Sequence, residues 1–175
     1  MLRNHFLIYI VLFFSCSNDE YSGQVQKDYV DINQLMIQGI IDNFSDSILK
    51  VSTYSSYSDS TFISKADLLR NKRLWQTNLS PQKWTTDFEL VHNNSREKYK
   101  SLYLKPKKKS EKIKEININF NNSRFDNIFM AKKQNTLITS SSQKITLNRQ
   151  KLVIQSQFEI KPISKDQITI QFISK

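Results

Sequence analysis

Beyond its first fifteen residues the chain carries one histidine, His92, and its single cysteine, Cys16, stands where an N-terminal apolar run ends. The other histidine, His5, lies just ahead of that run. A structural or catalytic zinc site needs three or four converging imidazole, thiolate or carboxylate donors, and these residues do not form such a set. Serines are abundant, but none sits in a Gly-x-Ser-x-Gly elbow, and a triad would have only His92 to act as base. Asp59 and Asp67 are eight residues apart, a spacing that defines no general acid–base geometry. With only two glycines, Gly23 and Gly39, the chain has no glycine-rich loop to cradle a phosphate. No catalytic residue, metal site or cofactor is therefore expected.

What remains is charge. Lys105-Pro106-Lys107-Lys108-Lys109-Ser110-Glu111-Lys112-Ile113-Lys114 bridges two strand-like runs and forms an expected basic surface patch of Lys105, Lys107, Lys108, Lys109, Lys112 and Lys114. Lysines of this kind blunt the ends of strands and keep a hairpin solvated. They also suit a partner with anionic chemistry, a lipid headgroup or an acidic envelope protein, at about 1 kcal/mol per lysine near a charged surface. The net charge of +10 does not point to nucleic acid, because lysine abundance here accompanies Asn, Ile and Ser in a biased composition. The charge is also uneven. Asn18 to Asp67 holds 3 basic and 8 acidic residues, a balance of −5, and Leu68 onward holds 22 and 8, a balance of +14.

The setting of Cys16 carries the most specific signal. Arg3 and the amino terminus are positive, Phe6 to Phe14 is almost wholly apolar, and small Ser15 precedes the cysteine. Charge, a short apolar core and a small residue at the cut are the layout of a secretory leader. The run is about half the ~20 residues that span a bilayer. A lone cysteine is often an incidental buried thiol, but this one has no disulfide partner and lies at the cut. Leu12-Phe13-Phe14-Ser15-Cys16 resembles the lipobox of bacterial lipoproteins, with Phe13 and Phe14 where that family more often has Leu and a small residue. The resemblance implies cleavage between Ser15 and Cys16, a diacylglycerol on the Cys16 thiol and acylation of the freed amine. Multiple acyl chains anchor stably, since each buried methylene is worth about 0.8 kcal/mol. Ser17-Asn18-Asp19-Glu20 resembles the acidic export signal of Gram-negative groups that display lipoproteins on the cell surface. The implied location is the cell envelope, as an outer-membrane lipoprotein facing either the surface or the periplasm.

These residues must be positioned by a domain. Residues 1–15 read as the signal peptide, 16–29 as a polar tether and 30–175 as a single α+β domain with no disulfide to hold it. Asp31 with Gln34 is a capping box, Val30 can staple onto Leu35, and apolar residues at helical spacing predict a helix to about Lys50. Ile40, Ile41, Phe44 and Ile48 are its expected core positions. Val51 to Thr61 reads as a strand or an exposed connection. Ser64 with Asp67 predicts a short second helix from about Lys65.

From Trp84 the apolar period becomes two, as in Ile116, Ile118 and Phe120 or Ile168, Ile170 and Phe172. Such alternation predicts an antiparallel sheet with one apolar face. Asn93-Asn94-Ser95 and Asn121-Asn122-Ser123 are the expected turns. The predicted fold is an antiparallel β meander of about six to eight strands, with one or two N-terminal helices packed on its apolar face. The functional expectation is a membrane-anchored, non-catalytic binding or accessory domain. The alternative is a half-barrel carrier of acyl chains or lipoproteins in the periplasm, distinguished by a hollow rather than a filled apolar face.

Overall fold

A computed structural model describes residues 31–77, 80, 83, 86–96, 99–122 and 124–174. The leader, the tether, the Val30 staple, Trp84 and Ser123 lie outside the described residues.

The Asp31 carboxylate accepts the Gln34 N–H at 3.1 Å and opens α1 (Ile32–Asn43). The helix stops about two turns before the expected Lys50. Asn43 donates its side-chain amide to Gly39 O at 2.8 Å, and Phe44 N–H reaches Ile40 O at 3.1 Å, closing the last turn. Ser45 then donates its backbone N–H to Ser174 Oγ at 2.9 Å, which ties the exit of the helix to the end of the chain. Ile48 and Leu49 belong instead to β1 (Ser47–Tyr54). The four-residue spacing of Ile40, Phe44 and Ile48 mimics a continuing helix, yet the Ser, Thr and Val that follow fit a pleated strand better. Met36, Ile40, Phe44 and Ile48 are buried, whereas Ile41 is 45 % exposed and is not a core residue.

The Val51–Thr61 stretch is a hairpin. β1 pairs antiparallel with β2 (Ser58–Ser64), and Tyr54 stacks on Tyr57 across its turn at a 4.5 Å centroid separation. Ser64 Oγ accepts the Asp67 N–H at 3.0 Å and starts α2 (Lys65–Arg70), followed by a 3₁₀ turn at Lys72–Leu74.

Seven further strands complete the sheet. They are β3 (Phe88–Arg96), β4 (Tyr99–Pro106), β5 (Ile113–Asn121), β6 (Arg124–Asn135), β7 (Thr139–Asn148), β8 (Lys151–Ile160) and β9 (Ser164–Ser174). The strand order is β2-β1-β9-β8-β7-β6-β5-β4-β3, antiparallel throughout. Nine strands exceed the expected six to eight, because the N-terminal hairpin joins the far edge of the meander through β9. Asn93-Asn94-Ser95 is not a turn. It continues β3 opposite Leu102, Ser101 and Lys100, past a bulge between Leu90 and His92. Asn122 does turn, in the left-handed region at φ 51°, which asparagine tolerates better than most residues.

The register aligns apolar residues into rows. Leu104, Ile116, Met130, Ile145, Ile154 and Ile170 face one another across six adjacent strands, and Leu102, Ile118, Ile128, Leu147, Leu152 and Phe172 form the next row. Ile32, Met36 and Ile40 of α1, Leu68 of α2 and Trp75 belong to the same buried cluster as these rows. A Cβ built on Gly39 would lie 2.8 Å from Phe125 Cε1 and 3.3 Å from Leu147 Cδ2, so α1 meets β6 and β7 at backbone range.

Candidate functional site

In this antiparallel order, the β1–β2, β8–β9, β6–β7 and β4–β5 connections all fall at one end of the sheet. The β4–β5 connection is the basic segment. Its lysines do not act alike. Lys114 turns inward and donates to Lys109 O and Glu111 O at 2.6 and 2.5 Å, stapling the loop to itself. Lys107 donates Nζ to Thr86 O at 2.9 Å. Lys105 lies over the Tyr103 ring, 5.4 Å from its centroid, and Tyr103 in turn donates its hydroxyl to Glu115 at 3.1 Å. Lys108, Lys109 and Lys112 are exposed. The six residues expected as one patch therefore divide between loop architecture and a solvent-facing cationic tip.

Next to this loop stands the β6–β7 turn, joined to it by the Lys133 N–H donating to Lys112 O at 2.7 Å. Thr136 and Thr139 close that turn through their backbones at 2.8 Å and their hydroxyls at 2.8 Å. At its apex Leu137 is 98 % and Ile138 64 % exposed. The β8–β9 turn lies beside it, with the Lys161 N–H donating to Ile138 O at 2.9 Å, and presents Ile163 at 79 % exposure. Sequence reading missed these three. The signal was an aliphatic pair at the apex of Asn135-Thr136-Leu137-Ile138-Thr139, where a turn ordinarily places polar residues.

On the apolar side, Lys132 follows Met130 and sits at the margin of the core. Its Nζ donates to Gln76 O at 3.0 Å and Gln143 Oε1 at 3.1 Å, and burial pushes its pKa down to about 8. Neither acceptor is anionic, so no opposite charge offsets the desolvation. Fully buried Trp75 has no hydrogen-bond partner for its indole N–H among the described residues.

At the opposite end of the sheet, a groove of about 310 Å³ opens between Tyr99, Asn119, Phe120 and Asp126. Three of its polar residues form one network that ends on Arg149. Asn119 donates to Asn127 Oδ1 at 2.8 Å, Asn127 to Asp126 at 3.1 Å, and Asp126 pairs with Arg149 at 3.3 Å. Lys100 and Ser101 also line the groove, and the Ser101 hydroxyl donates to Asn117 Oδ1 at 3.3 Å.

The other residues singled out from the sequence do not converge. His92 lies within β3 opposite Tyr103 rather than beside a turn. Asp59 sits on edge strand β2 and Asp67 in the first turn of α2. The Ser64 hydroxyl donates to the Asp67 carboxylate at 2.7 Å and Arg70 lies 3.3 Å away, holding its pKa below the ordinary carboxylate value. That is a helix cap rather than a proton shuttle. No cluster of three metal-ligating side chains occurs among the described residues, and none of their helices is long and apolar enough to cross a membrane. Ser15, Cys16, Ser17, Asn18, Asp19 and Glu20 lie outside the described residues. Comparison with family models, curated proteins and solved structures finds no match to this chain.

Proposed function

We propose that the chain is an outer-membrane lipoprotein, a lipid anchor on Cys16 followed by a tether and a non-catalytic binding or accessory domain. One observation carries this reading: the apolar run Phe6–Phe14 closes at Ser15-Cys16, and that cysteine is the only one in 175 residues. Further support comes from the domain, where Asp67 belongs to a helix cap, Lys114 staples a loop and Lys108, Lys109 and Lys112 are surface charge. Ser17 to Glu20 serves as a candidate export signal, and an anionic lipid or an envelope protein suits the exposed lysines.

The helices closing the apolar face favour a filled domain over a carrier. Met36, Ile40, Ile116, Met130, Ile145 and Leu147 have no exposure at all, and the approach of Gly39 to Phe125 leaves no space there for an acyl chain. Metabolic labelling with a palmitate analogue tests the anchor. The wild type should incorporate label and Cys16→Ala should lose it, remaining in a soluble or leader-retaining form. Equal labelling of both overturns the lipoprotein reading.

A further inference from the structure

We propose that the sheet end carrying the β6–β7 and β8–β9 turns docks on an anionic phospholipid bilayer. Leu137, Ile138 and Ile163 enter the interface, and the lysines of the β4–β5 loop engage the headgroup phosphates. The inference extends the membrane-anchored reading and rests on it for the presence of a bilayer.

Three observations converge on this end. First, aliphatic side chains on turn apices are the most exposed large apolar groups among the described residues, with Leu137 at 98 % and Ile163 at 79 %. A lone exposed leucine needs no explanation. Here, however, two turns are hydrogen-bonded together through Lys161 and Ile138, and three aliphatic side chains project beyond the same edge. Tyr57, 60 % exposed and stacked on Tyr54, stands at the neighbouring β1–β2 turn. Tyrosine, with an apolar body and a polar tip, suits the headgroup level.

Second, exposed cations flank the apolar apices. Lys108, Lys109 and Lys112 lie on the β4–β5 side, Lys133 at the base of the β6–β7 turn, and Lys161 and Lys165 on the β8–β9 turn. Acidic Glu159 and Asp166 lower the charge on the β8–β9 side, whereas Lys105–Lys114 sets six lysines against Glu111, which makes the β4–β5 loop the main cationic contact. Apolar apices ringed by lysine match the chemistry of an anionic bilayer surface, where insertion and headgroup attraction act together. An acidic protein would leave the aliphatic apices without a counterpart.

Third, α1 begins on this side. The C-terminal end of α1 lies at the opposite edge, where Asn43 O accepts the Ser174 hydroxyl. Its first turn lies with Thr77, through Asn33 bonds of 2.8 and 3.0 Å, next to the Gln76 carbonyl that holds Lys132 near the turns. The start of α1, to which Cys16 connects along the sequence, therefore lies toward the end that carries the apices. Anchor and apices would face the same bilayer.

The test compares Leu137→Trp with Gln150→Trp in the full chain. Gln150 occupies the β7–β8 turn at the opposite end and is also exposed. Each variant is bound to phosphatidylcholine vesicles containing brominated lipid, with and without phosphatidylglycerol, and the quenching of the unsubstituted chain is subtracted. Quenching of Leu137→Trp should exceed that of Gln150→Trp at least twofold with phosphatidylglycerol. It should fall when that lipid is omitted or when Lys108 and Lys109 are both changed to Glu. Equal quenching at the two positions, or quenching indifferent to phosphatidylglycerol, overturns the proposal. Acyl labelling of Cys16 reads the anchor and quenching reads the turns, so each can fail alone.

Discussion

Gly39 stands so close to the Phe125 ring that a Cβ at that position would lie 2.8 Å from Cε1 and 3.0 Å from Cδ1. The contact sets how near α1 comes to the sheet. Glycine is costly inside a helix by about 1 kcal/mol relative to alanine, and here close approach is what the position requires. Gly39→Val should destabilise the domain by about 1–3 kcal/mol, the range for overpacking a filled site. Gly39→Ala gains helix propensity while displacing the ring and should change stability far less. Urea unfolding of the two variants against wild type checks the order, and a stabilised Gly39→Val would contradict it.

Phe44, 3 % exposed, is the last inward residue before the chain turns from α1 into β1. Phe44→Ala should cost about 3–5 kcal/mol, a large share of the 5–15 kcal/mol typical of a whole domain. A lipid-filled cavity beneath the helix would make the same change cheap and leave an acyl ligand in the purified protein. Denaturant unfolding combined with mass spectrometry for bound lipid distinguishes the two. The costly, ligand-free outcome is expected.

Lys132 makes stability depend on pH in an unusual direction. Its pKa falls from 10.5 to about 8 on folding because burial disfavours the ammonium. Between those values the unfolded chain binds more protons than the folded one, so this group makes stability rise with pH from about 8 to about 10.5. Below pH 8 its full desolvation cost is present. Lys132→Met keeps the stem volume and removes the charge, so it should flatten that rise, at the loss of the bonds to Gln76 and Gln143. Unfolding midpoints at pH 7.5 and 9.5 measure the slope in both proteins. An identical slope would show that Lys132 titrates as in the unfolded chain.

Much of the local structure was legible from side-chain type and spacing. Asp31 and Ser64 mark helix starts because their side-chain oxygens accept backbone N–H groups that no helix can satisfy internally. Alternation from Phe88 to Phe172 marks strands because successive side chains point to opposite faces. Asn122 marks a turn because asparagine tolerates a positive φ. For the candidate site, the basic run and the setting of Cys16 were equally visible, since each is contiguous in sequence.

Tertiary pairing decided the rest. Ile48 continues the helical spacing of Ile40 and Phe44 and becomes a strand residue through bonds to β2 and β9, the latter more than a hundred residues away. Asn93 to Ser95 carry turn chemistry, yet the β4 ladder extends β3 through them. Local preference is worth about 1 kcal/mol or less per residue, and a full ladder with its buried face outweighs it. The gathering of Leu137, Ile138 and Ile163 beside the β4–β5 lysines depends on strand order alone. Sequence spacing determines which residues can cap, alternate or turn. Which distant turns share an end is a property of the assembled sheet, because hydrogen-bond register relates strands whatever their separation along the chain.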